Sequence, residues 1–282
     1  MLIEFTKMHG CANDYIYINC FDKEIDNPND LAKAMSPRHF SVGADGVVLI
    51  CRSDIADAKM RMFNLDGSEG MMCGNAIRCV AKYIYDHGLI EKKSEVDIEA
   101  LSGVKHITLK VEDGKVSQAT VEMGQASFEN SALPLSIANG EKVPSLSIDS
   151  QMWDITTVSM GNPHAVTLVE DVNSLELDKI GPKFENNELF PERVNTEFIE
   201  VIDETHLKMR VWERGSGETY ACGTGACGSV AACVKNSICP ANTEISVELI
   251  GGILTVSADD DFNMTMTGPA VEVYKGVYEY AN

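Results

Sequence analysis

The sequence predicts an α/β protein of the α+β type, built as two pseudosymmetric halves by internal duplication, each half wrapping many strands around one apolar helix. Three observations predict it. First, the Cys-Gly step at Cys73 recurs 149 residues later at Cys222. The same separation carries Met60-Arg-Met-Phe63 onto Met209-Arg-Val-Trp212, Glu69 onto Glu218, Asn13 onto Asn162 and Gly103 onto Gly252. No gap is needed between these anchors, and self-similarity at one fixed spacing marks a repeated structural unit. Second, each cysteine opens a helix with few charges, the first of them almost apolar on one face. Third, the segments around these helices are short, alternating or β-branched runs separated by Gly, Pro and Asp, the pattern of strands and turns.

In chain order, residues 5–8 and 15–20 read as strands around a tight turn from His9 to Asp14. Residues 30–35 read as a helix stopped by Ser36-Pro37, because the residue before a proline is pushed out of the helical region. Residues 47–51 and 58–63 are strands, and Asn64-Leu-Asp-Gly-Ser68 turns into the first cysteine loop. From Gly74, apolar residues at Ile77, Val80, Ala81 and Ile84 keep helical spacing, with Gly88 as the stop. Residues 96–100, 104–111 and 118–123 are strands, and residues 131–144, rich in Pro, Ser and Gly, read as a crossover. The second half repeats the order: strands at 156–159 and 165–170, an acidic segment, and strands at 196–203 and 207–212. Then come the Cys222 helix, ending near Asn236, and strands at 245–249, 253–257 and 262–267. The expected domains are 1–130, carrying Cys73, and 131–282, carrying Cys222, with the last strand and chain end as candidates for exchange between halves.

With 282 residues, 44% hydrophobic and 23% charged, the composition is that of a soluble protein with two ordinary cores. The 43 acidic residues outnumber 23 basic ones, for a net charge of −20, which repels nucleic acid and acidic membrane surfaces. The N-terminal stretch lacks the pattern of a secretory signal, and no apolar run approaches the ~18 residues of a membrane span. The expected location is cytoplasmic. The nine cysteines are therefore expected as thiols, and their spacing contains no Cys-x-x-Cys pair of the kind that structural zinc favours.

Gly223-Thr-Gly-Ala-Cys-Gly228 satisfies the glycine fingerprint of dinucleotide sites, but no buried strand of a βαβ unit precedes it, and its copy at Cys73 keeps only the first glycine. Both copies do keep a cysteine at a helix start, where unpaired N–H groups and the helix dipole favour an anion. That field lowers a thiol from ~8.5 towards neutrality, making Cys73 and Cys222 candidate proton carriers. Two thiols facing each other across a cleft suit removal of a proton from carbon on one face and its return on the other, which inverts a stereocentre. Two helix N-termini aimed at the adjacent carboxylate would stabilise the carbanion. Asn13, Asn64, Asn75, Asn162, Asn195, Glu213 and Arg214 could hold a second ammonium-carboxylate group, and His164, in Gly161-Asn-Pro-His164, is expected beside a thiol. An asparagine in a turn is also explained by backbone geometry alone, and a histidine by its turn.

Met8-His-Gly-x-x-Asn-Asp14, Asn64-x-Asp-Gly-Ser68, Cys73-Gly-Asn75, Gly161-Asn-Pro-His164, Val194-Asn195 and Glu213-Arg-Gly-x-Gly-Glu-Thr-x-Ala-Cys-Gly-Thr-Gly225 together resemble the diaminopimelate epimerase family, in order and over nearly the whole chain. The resemblance implies strongly curved, mostly antiparallel sheets around each central helix. It also implies a homodimer acting without cofactor or metal on LL- and meso-diaminopimelate, in lysine and peptidoglycan synthesis. Carried over residue by residue, it implies Cys73 and Cys222 as the acid/base pair, with His164 and Glu213 tuning them. Gly74, Asn75, Gly223 and Thr224 would cradle the reacting carboxylate. Asn13, Asn64, Asn162, Asn195, Glu213 and Arg214 would bind the rest of the substrate, and Tyr274 would be a dimer contact. Cys11-Ala12 replaces a more usual Leu-Gly, Ala76 a common glycine, and Gly46 stands where some members carry a glutamine that contacts substrate. Asn75 argues against the related proline racemases, which usually have histidine there. A racemase of another amino acid, such as histidine, and a binding protein that has lost the chemistry are the alternatives, the second opposed by retention of both cysteines.

Overall fold

In the computed structural model, which describes residues 1–138 and 140–280, the duplication appears element by element. The chain runs β1 (Leu2–Gly10), β2 (Asn13–Cys20), α1 (Pro28–Met35), β3 (Gly46–Cys51), β4 (Ala58–Asn64), β5 (Glu69–Gly70), α2 (Gly74–Asp86), β6 (Glu95–Ala100), β7 (Gly103–Glu112) and β8 (Lys115–Gln125). It continues with β9 (Leu146–Ile148), β10 (Gln151–Trp153), β11 (Ile155–Ser159), β12 (Pro163–Val169), α3 (Leu177–Glu185), β13 (Asn195–Asp203), β14 (His206–Glu213) and β15 (Gly217–Thr219). Then follow α4 (Gly223–Lys235), β16 (Ile245–Leu249), β17 (Gly252–Ala258), β18 (Asn263–Pro269) and β19 (Val271–Glu279). Moved by the Cys73-to-Cys222 separation, α2 falls on α4 residue for residue, and α1 and α3 begin at equivalent positions.

The chain divides into two compact units, residues 1–121 with 267–282, and residues 122–266. In the first, β1 lies between β19 and β2, antiparallel to both. Strand β2 runs parallel to β3, β3 antiparallel to β4, and β4 parallel to β6. In the second, β12 is parallel to β13, β13 antiparallel to β14, and β14 parallel to β16. The registers are equivalent too: Tyr15 faces Gly46 as His164 faces Asn195.

Helix α2 packs on β1, β2, β4, β6 and β7, and α4 on β11, β12, β13 and β17. All of Gly74 to Ala81 is buried, and within that stretch Arg78 is the one charged residue, with Lys82 and Asp86 following in the later turns of α2. In α4 the small residues allow close approach: a Cβ at Gly228 would lie 3.1 Å from Val158 Cγ1 and 3.6 Å from His164 Cβ. Such contact, summed over a helix enclosed by strands, replaces the amphipathic stripe of an ordinary surface helix.

Several elements were not expected from the sequence. The acidic segment contains α3, whose Phe184 meets Trp153 and Phe198 edge to face at 5.3 and 5.1 Å. Such pairs contribute about 0.5–1.5 kcal/mol each beyond their burial. Pro182 lies inside α3, although proline usually disrupts a helix interior. Apart from residue 139, which lies outside the described residues, the expected crossover packs Leu135, Ile137 and Val143 against this core, and Leu133 in it is buried. The strand β19 follows the last expected one, and β5, β9, β10 and β15 are too short for a periodic signal.

Candidate active site

Cys73 caps α2. Its backbone is extended (φ −136°, ψ 120°), and its sulfur accepts the Ala76 N–H at 3.5 Å. Cys222 caps α4 in the same way, with φ −121° and ψ 111°, and accepts the Gly225 N–H at 3.3 Å. A thiol in this position takes the role usually played by a Ser or Asp oxygen at a helix start and sits where the dipole favours negative charge.

Around Cys73 the polar groups are oriented in a chain. The thiol donates to Asn13 Oδ1 at 3.3 Å, and Asn13 Nδ2 donates to Asp45 Oδ2 at 2.8 Å, which fixes the amide with its oxygen towards sulfur. Arg38 bridges Asp45 (2.8 Å) and Asp14 (2.6 Å), and Lys7 also pairs with Asp14 at 2.5 Å. These two cations hold the Asp14 carboxyl below its usual range even though burial acts the other way as the largest single influence. On α2, the fully buried Arg78 donates to Gly74 O at 3.1 Å and to Asn75 Oδ1 at 2.8 Å. Arg78 thereby fixes the first turn of the helix from beneath. Asn64, at the end of β4, donates to Ser68 Oγ at 3.0 Å. Gly46 has no room for a side chain, since a Cβ there would stand 2.1 Å from Phe63 O, so a glutamine at this point would require the β3 and β4 backbones to separate.

Cys222 lies in a more enclosed and more acidic setting. Its sulfur is 3.5 Å from Thr224 Oγ1, and Asn162 Nδ2 donates to that hydroxyl at 3.3 Å. The oxygen of Asn162 faces His164 Nε2 at 3.0 Å, and His164 Nδ1 meets Glu197 Oε1 at 2.7 Å. His164 and Glu197 are both fully buried. Glu213, at the end of β14, accepts from Thr219 Oγ1. Burial pushes the Glu213 carboxyl up, while Thr219 and Cys222 draw it back.

Two expectations change here. The helix field was expected to lower both thiols, but burial, followed by the charges of Glu213 and Glu197, pushes Cys222 well above the usual thiol value. The Gly225 N–H and Thr224 oppose this and do not prevail. His164 was expected as a thiol's partner, but both its ring nitrogens are engaged, by Glu197 and Asn162. A chain of polar contacts leads from His164 through Asn162 and Thr224 to the Cys222 sulfur.

Asn195 is buried and spans two backbone groups, donating to Pro163 O at 2.9 Å and accepting the Arg214 N–H at 2.9 Å. The Arg214 loop is also held by Glu185, which accepts from Gly215 N at 2.8 Å, Arg193 at 3.0 Å and Trp212 Nε1 at 2.7 Å. Arg214 is partly exposed, and its guanidinium donates to Glu192 O at 3.2 Å. Tyr274 lies on β19, 45% exposed, edge to face with Phe5. Gly74 and Gly223 open their helices and are buried. Asp45, Arg38, Arg78, Glu185 and Glu197 support the candidate residues but escaped sequence reasoning. Among the described residues no group of three or more His, Cys, Asp or Glu is placed to hold a metal, and no helix is long and apolar enough to cross a membrane.

The family model described as diaminopimelate epimerase matches residues 5–129 and 156–273. The chain is 50% identical over 279 residues to the diaminopimelate epimerase of Acetivibrio thermocellus, covering 97% of this chain and 98% of that one. It is also 50% identical over 284 residues to the enzyme of the same name from Desulfovibrio desulfuricans, covering 98% of each. Among solved structures it resembles a Bacillus anthracis phenazine biosynthesis protein of the PhzF family, with a TM-score of 0.73 at 18% identity over 99% of this chain and 100% of that one. A hydroxyproline epimerase from Agrobacterium vitis aligns with a TM-score of 0.71 at 15% identity, over 98% of this chain and 91% of that one. At these identities the two structures are evidence for the shared fold.

Proposed function

The chain belongs to the diaminopimelate epimerase family, and from that premise we propose that it interconverts LL- and meso-2,6-diaminopimelate without a cofactor, in lysine and peptidoglycan synthesis, using Cys73 and Cys222 as its two proton carriers. The observation that carries the reading is the equivalence of the two cysteines, each capping the same helix of a duplicated unit through a sulfur-to-N–H contact. One thiolate takes the proton from Cα, and the electron pair left behind delocalises into the adjacent carboxylate. The other thiol then gives its own proton to the opposite face. The N–H groups of Gly74, Asn75, Gly223 and Thr224 at the two helix starts receive the carboxylate as it gains charge, which is worth more in a site without water than in solution.

Arg214 and Glu213, with the amides of Asn13, Asn64, Asn162 and Asn195, serve the ammonium and carboxylate of the end that does not react. Asn195 does so by fixing the Arg214 backbone. His164 and Glu213 tune Cys222. A second copy of the chain docks on β19, where Val271, Val273, Tyr274 and Val277 are exposed, and the enzyme works in the cytoplasm as a homodimer. The purified protein, given LL-diaminopimelate without added cofactor and followed by chiral chromatography, should reach the same mixture as when given the meso isomer. Conversion of histidine or another amino acid in preference to diaminopimelate would overturn the substrate assignment.

A further inference from the structure

Glu197 is a wholly buried carboxylate near the start of β13, and no motif singled it out. Its Oε1 meets His164 Nδ1, while its Oε2 is buried without a hydrogen-bond partner. It also stands against the first turn of α4: a Cβ at Gly225 would be 2.6 Å from Glu197 Oε1 and 3.2 Å from the Cys222 sulfur. The equivalent position in the first half is Val48, and the residue equivalent to His164 is Tyr15. Neither fold nor duplication therefore requires an acid here.

Counting protons defines what the acid does. The Asn162 oxygen can only accept, so His164 Nε2 carries a hydrogen. The 2.7 Å contact between Nδ1 and Glu197 requires a second hydrogen between them. Histidine and glutamate together are then electrically neutral, which is how an acid can be buried so completely, since an isolated buried charge is strongly disfavoured. With Nε2–H holding the Asn162 oxygen, the Asn162 nitrogen points at Thr224 Oγ1, and Thr224 stands 3.5 Å from the Cys222 sulfur.

We propose that Glu197 is a positioning residue for the Cys222 half of the reaction: it holds the His164 ring through Nδ1, so that the Nε2 hydrogen keeps the Asn162 amide and Thr224 against the sulfur. The proposal rests on Cys222 being a proton carrier. Glu197→Gln keeps the shape and offers Nδ1 either a donor or an acceptor, so the ring stays in place in either tautomer. Glu197→Leu leaves Nδ1 without a partner, so the ring, the Asn162 amide and Thr224 are released.

Nitrogen-15 NMR of the full chain labelled in histidine, with His164 assigned through His164→Gln, tests this on the wild-type protein without relying on any variant's folding. His164 Nε2 should be protonated, and a bare Nε2 in the wild type overturns the proposal. In Glu197→Leu the His164 signals should shift and kcat/KM for epimerisation should fall about 10- to 100-fold, the size of loss typical when a buried partner orienting a metal-bound histidine is removed, while Glu197→Gln should stay near the wild type. A folded Glu197→Leu protein with an unchanged His164 spectrum or an unchanged rate also overturns it. Cys222→Ser, assayed alongside, separates the two claims: if it is active, the two-thiol reading has failed, whereas if it is inactive and Glu197→Leu is normal, only the role of Glu197 has.

Discussion

The two halves present the same cysteine on the same helix with the same capping geometry, yet surround it with opposite chemistry. Under α2 lies a buried cation, Arg78, where α4 has Cys227. Beside α4 lies the buried Glu197, where the first half has Val48, and β14 ends on Glu213, where β4 ends on Asn64. Asn13 touches the Cys73 sulfur directly and is oriented by Asp45, whereas its counterpart Asn162 reaches Cys222 through Thr224 and is oriented by a histidine. The scaffold contacts, by contrast, were kept. Arg61 binds Glu69 through two contacts of 2.8 and 3.0 Å, and Arg210 binds Glu218 at 2.7 and 3.0 Å. The duplicated halves thus share these scaffold contacts, while the residues around each thiol differ. A reaction that needs one base and one acid at the same moment has a use for that divergence.

The largest expected effects come from the feature the halves share. Cys73→Ser and Cys222→Ser should each lower epimerisation by about 100- to 10,000-fold with folding intact, because a serine hydroxyl is too weak a base to replace a thiolate. Chiral chromatography and circular dichroism check both parts, and a large loss in only one variant would make one half dispensable.

Next come the features confined to the second half. Arg214→Ala should cost about 1.5–3 kcal/mol, roughly 10-fold or more in kcat/KM, for diaminopimelate, and much less for a substrate lacking the distal carboxylate. Equal losses on both substrates would place Arg214 at the reacting end. Glu213→Gln is smaller in its effect on stability, and its sign follows from burial, which raises the carboxyl above its ordinary value. A carboxyl raised in the folded state contributes stability that is complete below the unfolded value and is lost as pH rises through the folded one. Glu213→Gln should therefore gain in melting temperature relative to the wild type on going from about pH 4 to about pH 8, while epimerisation falls. A constant difference across that range would mean that Glu213 titrates as it does in the unfolded chain.

The smallest effect tests a cost borne by the first half alone. Cys11 and Ala12 both adopt positive φ, 51° and 64°, where the second half has Gly161 at 89° in the position equivalent to Ala12. A non-glycine residue in this region is strained, so Ala12→Gly should raise stability by about 0.5–1 kcal/mol in chemical denaturation. A loss would show that the turn is held by its packing.

The duplication, both central helices and most strands were legible because they rest on periodicity and on one fixed separation, which survive without knowledge of contacts. Helix α3 was hidden by its acidic residues and by Pro182, and it forms because Phe184 completes an aromatic cluster supplied by distant strands. Strand β19 does alternate, at Val271, Val273 and Val277, but it lies beyond the repeat that guided the reading. The candidate site residues stood out through Cys-Gly, Asn and Glu-Arg motifs. Their supports did not, because Glu197 within an apolar strand and Arg78 within an apolar helix acquire meaning only from the partner each meets in three dimensions. The sequence also could not weigh burial against the helix field at Cys222, since burial is a property of the folded chain.

The claim that two thiols divide the reaction is tested most directly by running it in D2O to low conversion. If one thiol abstracts and the other donates, the donor's proton has already exchanged with solvent, so the inverted product should carry deuterium at Cα while recovered substrate stays mostly protonated. Product that largely retains its original hydrogen would mean that a single base serves both faces and would contradict the account.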